Sequence, residues 1–387
     1  MSRGSLRLKT GVVLTIVAML AAGCTDEETP SDTPAQSVGP TATDAAAGLA
    51  EAQKIIDEFR QPPKWQGPDA AVPIGSVAGK KVTYISVSNS IPVLKYWSDA
   101  VTRLLQQYGN VTMNVIDAKG SVDEANKGFE QAIAQKADVI VFQALPAQLF
   151  QAQITRAKAA GIKVISANTG VPGKVDNGQY SEVSFDYVKV GQLIGDWMVA
   201  DSQGKGKGLV VSSDDVPASQ PQAQATASEV KRLCPACDIQ IKDVQIPQWQ
   251  TSVPTLFQTT INSDPTRTYL LPLYDGQGLP GLGAIRTAGA GSKVKVGAFN
   301  ATPGIVEQLK DPASGLKLDI GGHNEWWAYA CTDAIFRALT NTAPVQNYNV
   351  GLRIFDTSNA NLIQGTDEFS WYGSTEYRTK FPALWTK

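Results

Sequence analysis

The sequence alternates short apolar runs, rich in β-branched residues, with helix-forming stretches, and this alternation restricts the fold more than any other feature. Val82–Val87 and Val139–Phe142 are two such runs in the first half of the chain. The pattern returns after residue 205, for example at Gly208–Ser212 and Val294–Phe299. Because parallel strands must be joined by long crossovers, usually helices, the alternation predicts parallel βαβ units. We therefore expect an α/β fold.

Two stretches of the chain can be aligned with one another. Gln143 ends one apolar run and Asn168 follows the next, 25 positions later, and Asp275 and Asn300 are separated by the same 25 positions. In each stretch an Ala-Gly pair precedes the second run, and each run ends in a polar side chain. This internal similarity predicts two lobes of one Rossmann-like αβα architecture rather than one domain with an insertion.

Polar side chains follow the predicted strands in both halves of the chain, where ligands of open parallel sheets bind. They are Ser88, Asn89, Gln143, Asn168, Asp275 and Asn300, with Ser213 and Asp214 after another strand. Most are amides or hydroxyls, which form directional hydrogen bonds and suit a neutral polyhydroxylated ligand better than a phosphate or a cation. Any one of them could simply form a turn, so the hypothesis rests on the matched positions in the two halves.

Composition excludes several classes of function. The chain has one histidine among 387 residues, and its 34 basic and 36 acidic side chains give a net charge of −2. A single histidine leaves little room for a His-based metal site or a Ser-His-Asp triad. The charge balance lacks the basic footprint of a nucleic-acid-binding protein. We therefore expect no cofactor, no metal and no nucleic-acid partner.

The first 23 residues have the pattern of an export signal. A basic head is followed by an apolar and small-residue run from Gly11 to Gly23, which is shorter than the roughly 20 residues that span a bilayer. Cys24 follows Ala-Ala-Gly and resembles the lipobox of bacterial lipoproteins, where cleavage leaves a lipid-carrying cysteine. We expect residues 1–23 to be a lipoprotein signal peptide and Cys24 to anchor the protein extracytoplasmically to the cell membrane. An ordinary signal peptide with an incidental cysteine is the alternative.

The segment after the signal is rich in Thr, Pro, Asp, Glu, Ser and Ala and has almost no large apolar side chain. Such a segment cannot bury enough surface to fold. We expect residues 24–50 to form a disordered tether that holds the folded body away from the membrane.

The three other cysteines differ in their sequence context. Cys234 and Cys237 form a Cys-Pro-Ala-Cys motif in a chain predicted to be exported, so we expect a structural disulfide, with a redox-active pair as the alternative. Cys331 lies among apolar neighbours in a predicted helix and is expected to be a buried free thiol.

From about Lys80 to Ala343 the chain resembles the type I periplasmic sugar-binding proteins, the ribose- and galactose-binding family that serves ABC transporters. The resemblance lies in Ala137–Val141, Ala157–Ile165 and Lys295–Asn300. It implies two αβα lobes joined by a hinge of three chain crossings, with a sugar held in the cleft. On this basis the first lobe comprises residues 78–182 and 324–345, the second residues 183–322 and 347–372, and residues 373–387 form a C-terminal tail.

The resemblance also implies roles for individual residues. Asn300 stands where the family usually has an aspartate that binds sugar hydroxyls, and Asp275 stands in a strand-end Asn-Asp pair, with Tyr274 replacing the amide. Ile91–Val93 occupies the position of a common Asn-Pro-aromatic motif. These departures make ribose or galactose itself doubtful as the ligand.

Three further positions follow from the resemblance. Trp249 falls where the family often stacks an aromatic ring on the sugar. Gln222, or Gln220 in another register, replaces a usual arginine, and Asn324, or His323, falls near a hinge glutamine. The loss of an arginine and an aspartate predicts a less charged cleft and argues against an acidic sugar. Other aromatic candidates for stacking, each of which could equally belong to the core, are Tyr96, Trp97, Trp326 and Trp327.

We therefore expect a monomeric binding protein that captures a small neutral sugar or polyol and delivers it to an ABC transporter permease. An exported α/β enzyme acting on a carbohydrate is one alternative, with Asp214–Asp215 and Glu325 as an imaginable acid–base pair. A receptor that presents its ligand to a sensor kinase is another. A sugar-responsive repressor is excluded because an export signal stands where a DNA-binding helix-turn-helix would be.

Overall fold

The computed structural model describes residues 42–175, 177–364 and 371–387. The predicted signal peptide, Cys24 and the tether up to residue 41 lie outside these residues. The helices are α1 (Ala42–Phe59), α2 (Pro92–Gly109), α3 (Val122–Ala134), α4 (Gln151–Ala159), α5 (Tyr187–Asp201), α6 (Ser219–Leu233), α7 (Trp249–Ser263), α8 (Asp275–Thr287), α9 (Asn324–Thr340) and α10 (Tyr377–Leu384). The strands are β1 (Val72–Pro73), β2 (Lys81–Ser86), β3 (Thr112–Asp117), β4 (Val139–Gln143), β5 (Lys163–Ala167), β6 (Ser181–Val183), β7 (Lys207–Ser212), β8 (Asp238–Asp243), β9 (Tyr269–Pro272), β10 (Lys295–Phe299), β11 (Leu316–Gly322), β12 (Leu352–Asp356) and β13 (Trp385–Thr386).

Lobe 1 is built on a five-stranded sheet of order β3-β2-β4-β5-β6, in which every pair is parallel. All five residues of β4 are buried, as expected for a strand covered on both faces. Helices α2 and α9 pack on each other and on strands of this sheet, and α3 packs on α4. The predicted succession of parallel βαβ units is confirmed in this lobe.

Lobe 2 repeats the architecture on a six-stranded sheet of order β12-β11-β10-β9-β7-β8. Its pairs are parallel except for β12, which runs antiparallel to β11. Helices α5 and α6 pack together, as do α7 and α8. The prediction of two αβα lobes is therefore confirmed.

The three expected crossings of the chain between the lobes are all present. It leaves β6 for α5, returns from β11 to α9 at His323, and runs from α9 to β12. It also crosses twice more, between α1 and β1 and between β12 and α10, because α1 packs on lobe 2 whereas β1 and α10 contact α9 of lobe 1. These last two crossings were not predicted.

The prediction of a disordered tether over residues 24–50 is wrong for residues 42–50, which form the start of α1. This helix packs on α5 and α6. Gly48 lies so close to α6 that an added Cβ would stand 2.2 Å from the carbonyl oxygen of Leu233. Large apolar side chains are scarce here, but alanine is the best helix former, and small residues allow helix backbones to approach closely.

The C-terminal segment packs on lobe 1. Helix α10 lies against α9, and β13 pairs in parallel with β1. Trp326 of α9 stacks on Trp65 at 5.1 Å and on Tyr377 at 5.8 Å between ring centroids. This aromatic cluster joins the segments before and after the two-lobed body.

The disulfide between Cys234 and Cys237 is present and closes the turn between α6 and β8, as predicted. Cys331 is a buried free cysteine in α9, also as predicted. Among the described residues, the structure contains no helix of the length and hydrophobicity needed to span a membrane.

Candidate functional site

The carboxyl ends of the two sheets face a shared cleft whose wall is formed by 13 residues, seven from lobe 1 and six from lobe 2. Three classes of side chain form the wall: aliphatic, aromatic and amide. The cavity between them is narrow, about 40 Å³, which is enough for a few water-sized atoms. Within the described residues, the wall carries no charged side chain.

Three of the nine predicted ligand-binding residues lie on this wall, namely Asn168, Trp249 and Asn300. Asn168 follows β5 in the left-handed region, with φ of 55°, where asparagine is tolerated better than most residues. Its backbone N–H donates to Val183 O at 3.0 Å. Both atoms of its side-chain amide are buried without a hydrogen-bond partner among the described residues. An amide held in this way is available to a ligand.

Trp249 lies on the opposite side of the cleft, at the start of α7, and is only 5% exposed. Its Nε1–H donates to Ser213 Oγ at 2.9 Å and Val244 O at 3.0 Å. Its ring is tilted against Tyr274, with 6.3 Å between centroids. The indole nitrogen is thus anchored to strand ends while the ring contributes to the cleft wall.

Asn300 is held from two sides. Its backbone N–H donates to Ile320 O at 2.9 Å, and its carbonyl accepts from Asn324 Nδ2 at 3.0 Å. Asn324 also accepts from Trp97 Nε1 at 2.9 Å. The predicted hinge residue Asn324 therefore lies behind the wall, where it holds Trp97 of lobe 1 and Asn300 of lobe 2 by hydrogen bonds.

Gln143 is fully buried at the end of β4, directly before the wall residue Ala144. Neither atom of its amide has a hydrogen-bond partner among the described residues. It does not line the cavity itself, but its unused amide lies at the tip of a strand between the wall positions Val87 and Asn168.

Asp275 is placed differently from the prediction. Its carboxylate accepts from Thr302 N at 2.6 Å, Thr302 Oγ1 at 2.9 Å and Gly276 N at 2.6 Å. Burial raises the pKa of this carboxyl to about 6. The side chain therefore fixes the turn after β10 instead of lying on the cleft wall, because the open backbone N–H groups of that turn attract it.

The other predicted residues also form contacts within the protein. Ser88 bonds Ser90, with 2.7 Å between hydroxyl oxygens, and the Asn89 N–H donates to Asp117 Oδ1 at 3.1 Å. Gln222 is buried, and its Nε2 donates to Leu273 O at 3.0 Å. Gln220, the alternative register, is exposed and bonds Asp214. None of these four predicted residues belongs to the described wall.

His323, the alternative to Asn324, is buried behind the cleft. Its ring stacks on Tyr372 at 4.0 Å between centroids, and burial lowers its pKa to about 3. The neutral imidazole is therefore part of the hinge packing.

Two further aromatic residues lie on the wall: Tyr187, which the sequence analysis missed, and Tyr274, which it named only as a replacement for an amide of the family. The hydroxyl of Tyr274 is buried without a partner among the described residues. Of the other stacking candidates, Trp97 lies on the wall, whereas Tyr96, Trp326 and Trp327 do not. Trp326 and Trp327 are buried in the core.

Most of the wall is aliphatic, which the sequence analysis did not predict. The residues are Val87, Ile91, Val93, Leu94, Val216 and Ile246, together with Ala144. They follow β2, β4, β7 and β8 or lie at the start of α2. A search for polar strand ends passes over them because an aliphatic residue at such a position is indistinguishable from core in the sequence.

The carboxylates considered as an acid–base pair lie in different lobes, and each is hydrogen-bonded within the protein. Asp215 accepts from Ile246 N at 3.0 Å and Ser213 Oγ at 3.1 Å in lobe 2. Glu325 accepts from Tyr377 Oη at 2.8 Å and pairs with Arg378 in lobe 1. Neither has the geometry of an acid–base pair facing a common substrate.

A Gly-x-Gly-x-x-Gly spacing occurs at Gly276, Gly278 and Gly281, after a strand and at the start of α8. This spacing can mark a dinucleotide site. Here an added Cβ at Gly278 would lie 2.6 Å from Pro272, and one at Gly281 would lie 2.4 Å from Phe257. The second and third glycines therefore allow α8 to pack closely on its neighbours.

A family profile described as a periplasmic binding protein domain matches residues 82–342, about two thirds of the chain. The chain belongs to the periplasmic binding protein family. The predicted resemblance to its type I sugar-binding members is confirmed, and binding rather than catalysis is the activity of this family. A search of curated protein sequences returned no significant match.

Solved structures share the fold at low sequence identity. An ABC transporter solute-binding protein from Agrobacterium vitis with bound allitol is 17% identical, with a TM-score of 0.66 over 74% of this chain and 98% of its own. A 5-methylthioribose-binding protein from Thermotoga lettingae is 14% identical, with a TM-score of 0.69 over 78% of this chain and 98% of its own. A Bacillus halodurans protein with bound myo-inositol is 16% identical, with a TM-score of 0.65 over 74% and 98%.

Proposed function

We propose that this protein captures a small neutral sugar or polyol in the cleft between its lobes and delivers it to an ABC transporter permease. The supporting observation is the cleft itself, which has an uncharged wall with unpartnered polar groups on Asn168 and Tyr274. The solved relatives named above were crystallised with allitol, 5-methylthioribose and myo-inositol, all of them neutral and hydroxyl-bearing.

The chemistry of the wall fits such a ligand. Sugars and polyols have apolar C–H faces and directional hydroxyl groups, so aromatic rings cover the faces while amides and hydroxyls bind the edges. Trp249 and Tyr187 supply rings from lobe 2, and Asn168 supplies an amide from lobe 1. A ligand between them contacts both lobes at once.

Contact with both lobes makes ligand binding and closure interdependent. The narrow cavity means that the lobes must separate to admit a sugar and close again around it. Because the ligand gains contacts with both walls only in the closed form, its differential affinity shifts the population toward that form. The permease would then recognise the closed protein.

The proposal is tested by calorimetric titration and thermal-shift measurements with a panel of neutral sugars and polyols. At least one compound should raise the melting temperature and bind saturably with one site per chain. Cells lacking the protein should then accumulate less of that compound. Failure of every compound to bind, or turnover of a glycoside by the protein, would reject the proposal.

We further propose that the protein is held at the outer face of the cell membrane by a lipid on Cys24. The support is the sequence pattern of residues 1–24 alone.

A further inference from the structure

The polar and aliphatic parts of the cleft wall are segregated along the two sheets. The hinge lies at β6 of lobe 1 and at β11 and β12 of lobe 2, where the chain crosses between the lobes. Asn168 follows β5, and Asn300 follows β10, so both amides lie one strand away from these hinge strands. Tyr274 follows β9, the next strand out.

The aliphatic residues follow the outer strands. Val87 follows β2, two strands beyond β5, and Val216 and Ile246 follow β7 and β8, the outermost strands of lobe 2. Neighbouring strands lie about 4.8 Å apart. The polar tip at Asn168 and the aliphatic tip at Val87 are thus separated by roughly 10 Å, comparable to the length of a small ligand.

On the cavity wall itself, the unpartnered polar groups lie on the side nearer the hinge, here called the inner half. The Asn168 amide and the Tyr274 hydroxyl are at least nine-tenths buried and have no partner among the described residues. Buried polar groups in proteins almost always find a partner, and leaving one unmade is costly. These groups therefore point to hydroxyls of a ligand on the hinge side.

The outer half of the wall, on the side away from the hinge, favours apolar groups of a ligand over hydroxyls. A hydroxyl pressed against Ile91, Leu94, Val216 and Ile246 would lose its bonds to water without gaining others, which is unfavourable. An alkyl group in the same place would be stabilised, by about fourfold in affinity for each buried methylene. A ligand with hydroxyls all round its ring satisfies only the inner half of this cleft.

We propose that the ligand is a sugar or polyol carrying one small apolar substituent, such as an alkyl or alkylthio group, with its hydroxyls toward the hinge. The substituent lies against the outer aliphatic wall formed by Val87, Ile91, Leu94, Val216 and Ile246. This inference rests on the proposed function and narrows its ligand class.

The first test compares matched probes by calorimetric titration. D-Galactose is titrated beside methyl β-D-galactopyranoside and isopropyl 1-thio-β-D-galactopyranoside, and D-glucose and D-ribose beside their own methyl and isopropylthio glycosides. In at least one set, a substituted compound should bind at least tenfold more tightly than its parent. If parents bind and no substituent improves binding, this inference is overturned while the proposed function stands. If none of these compounds binds while another neutral sugar or polyol of the panel does, this inference is overturned and the proposed function stands; if no compound of either set binds, both are overturned.

The second test places the substituent on the outer wall. Val216→Thr puts a hydroxyl there at nearly constant volume and should reduce the affinity ratio of substituted to parent compound at least threefold. Val122→Thr, the same change at a position 40% exposed on α3, should leave the ratio unchanged. Val216→Ala serves as the second variant if Val216→Thr has a melting temperature too low for titration. An unchanged ratio in a folded Val216 variant contradicts the placement.

Discussion

At the scale of single residues, the clearest indication of function is a buried amide that the protein does not use. Asn168 is 2% exposed, and neither side-chain atom has a partner among the described residues. An unmade hydrogen bond at a buried group costs about 1–3 kcal/mol. Such a cost is tolerated where a ligand restores the bonds, which supports the proposed role of Asn168 in ligand binding.

Asn168→Gly should weaken ligand binding about tenfold or more, because a buried hydrogen bond to the ligand is lost. Glycine keeps the left-handed backbone, so the melting temperature of the free protein should change little. Asn341→Gly is the matched control, since Asn341 has the same φ of 55° but is exposed at the end of α9. Titration and thermal melts of both variants check this. Unchanged affinity in Asn168→Gly would remove the residue from the site.

Trp249→Ala should also weaken binding at least tenfold, because the ring that covers the ligand is removed. The structure shows that it should destabilise the protein as well, by about 3–5 kcal/mol, since the indole is nearly buried and hydrogen-bonded. Trp197→Ala separates the two effects. Trp197 is a buried tryptophan of lobe 2 that packs edge-on against Tyr269, so its loss should lower stability but leave affinity within about threefold. Equal losses of affinity in both variants would contradict stacking by Trp249.

At the scale of secondary-structure elements, the cleft depends on one turn after β10. Asn300 and Ala301 both have positive φ, 124° and 47°. Two buried carboxyls hold this turn: Asp319 Oδ1 accepts from Ala301 N at 3.0 Å, and Asp275 accepts from Thr302. Burial raises the pKa of both carboxyls, and the neighbouring Asp275 raises that of Asp319 further.

These raised pKa values predict how stability depends on pH. The folded protein keeps protons that the unfolded chain releases near pH 4, so the stabilisation is complete at low pH. It is lost as pH rises from about 4 through 6, the pKa of Asp275. Over this window the contribution of Asp275 to the free energy of unfolding should fall by about 3 kcal/mol.

Asp319→Asn should make this fall smaller, because the amide keeps an oxygen for Ala301 N–H and removes the second acid. Urea unfolding at pH 4.5, 6 and 8 measures the difference from the original protein. Asp99→Asn, an exposed change on α2, is the control and should leave the pH dependence unaltered. If Asp319→Asn and Asp99→Asn show the same pH dependence of the free energy of unfolding, Asp275 and Asp319 do not retain protons in the folded protein.

At the scale of the whole molecule, the two lobes carry additions that tie them together outside the hinge. Helix α1 packs on lobe 2, and the chain then crosses to lobe 1, where Trp65 stacks on Trp326 and β1 pairs with β13. The solved relatives cover 74–78% of this chain and nearly all of their own. Because α1 is the first element that the structure describes after Cys24 and packs on lobe 2, a lipid-anchored chain would enter the folded body through α1.

Cys24→Ser should release the protein from the membrane, because a serine at that position cannot take the thioether-linked lipid. Membrane and soluble fractions of expressing cells, separated by centrifugation, measure this. Cys331→Ser, at the buried cysteine of α9, controls for loss of a thiol elsewhere. A Cys24→Ser protein that stays with the membrane would count against lipid anchoring.

The features of the fold that could be predicted from the sequence depend on patterns among residues close in the chain. The apolar strands, the duplicated 25-residue spacing and the Cys234–Cys237 bridge all involve residues close together in the chain. Asn168 and Asn300 lie on the cleft wall because parallel topology brings strand ends to one edge, whereas Trp249, also on the wall, was predicted from the family resemblance.

The αβα lobes and the sheet edge that faces the cleft are therefore predictable from the sequence, because strand and helix periodicities are local and the topology follows from them. The choice of side chains past each strand end that face the cleft depends instead on the folded structure. Folding turned Asp275 toward Thr302, left the Asn168 amide unpartnered and brought Val216 and Ile246 onto the wall. Side chains in turns follow no periodicity, so their directions depend on neighbours that are distant in the chain. For the same reason, the packing of α1 and α10 against the lobes could not be read from their own residues.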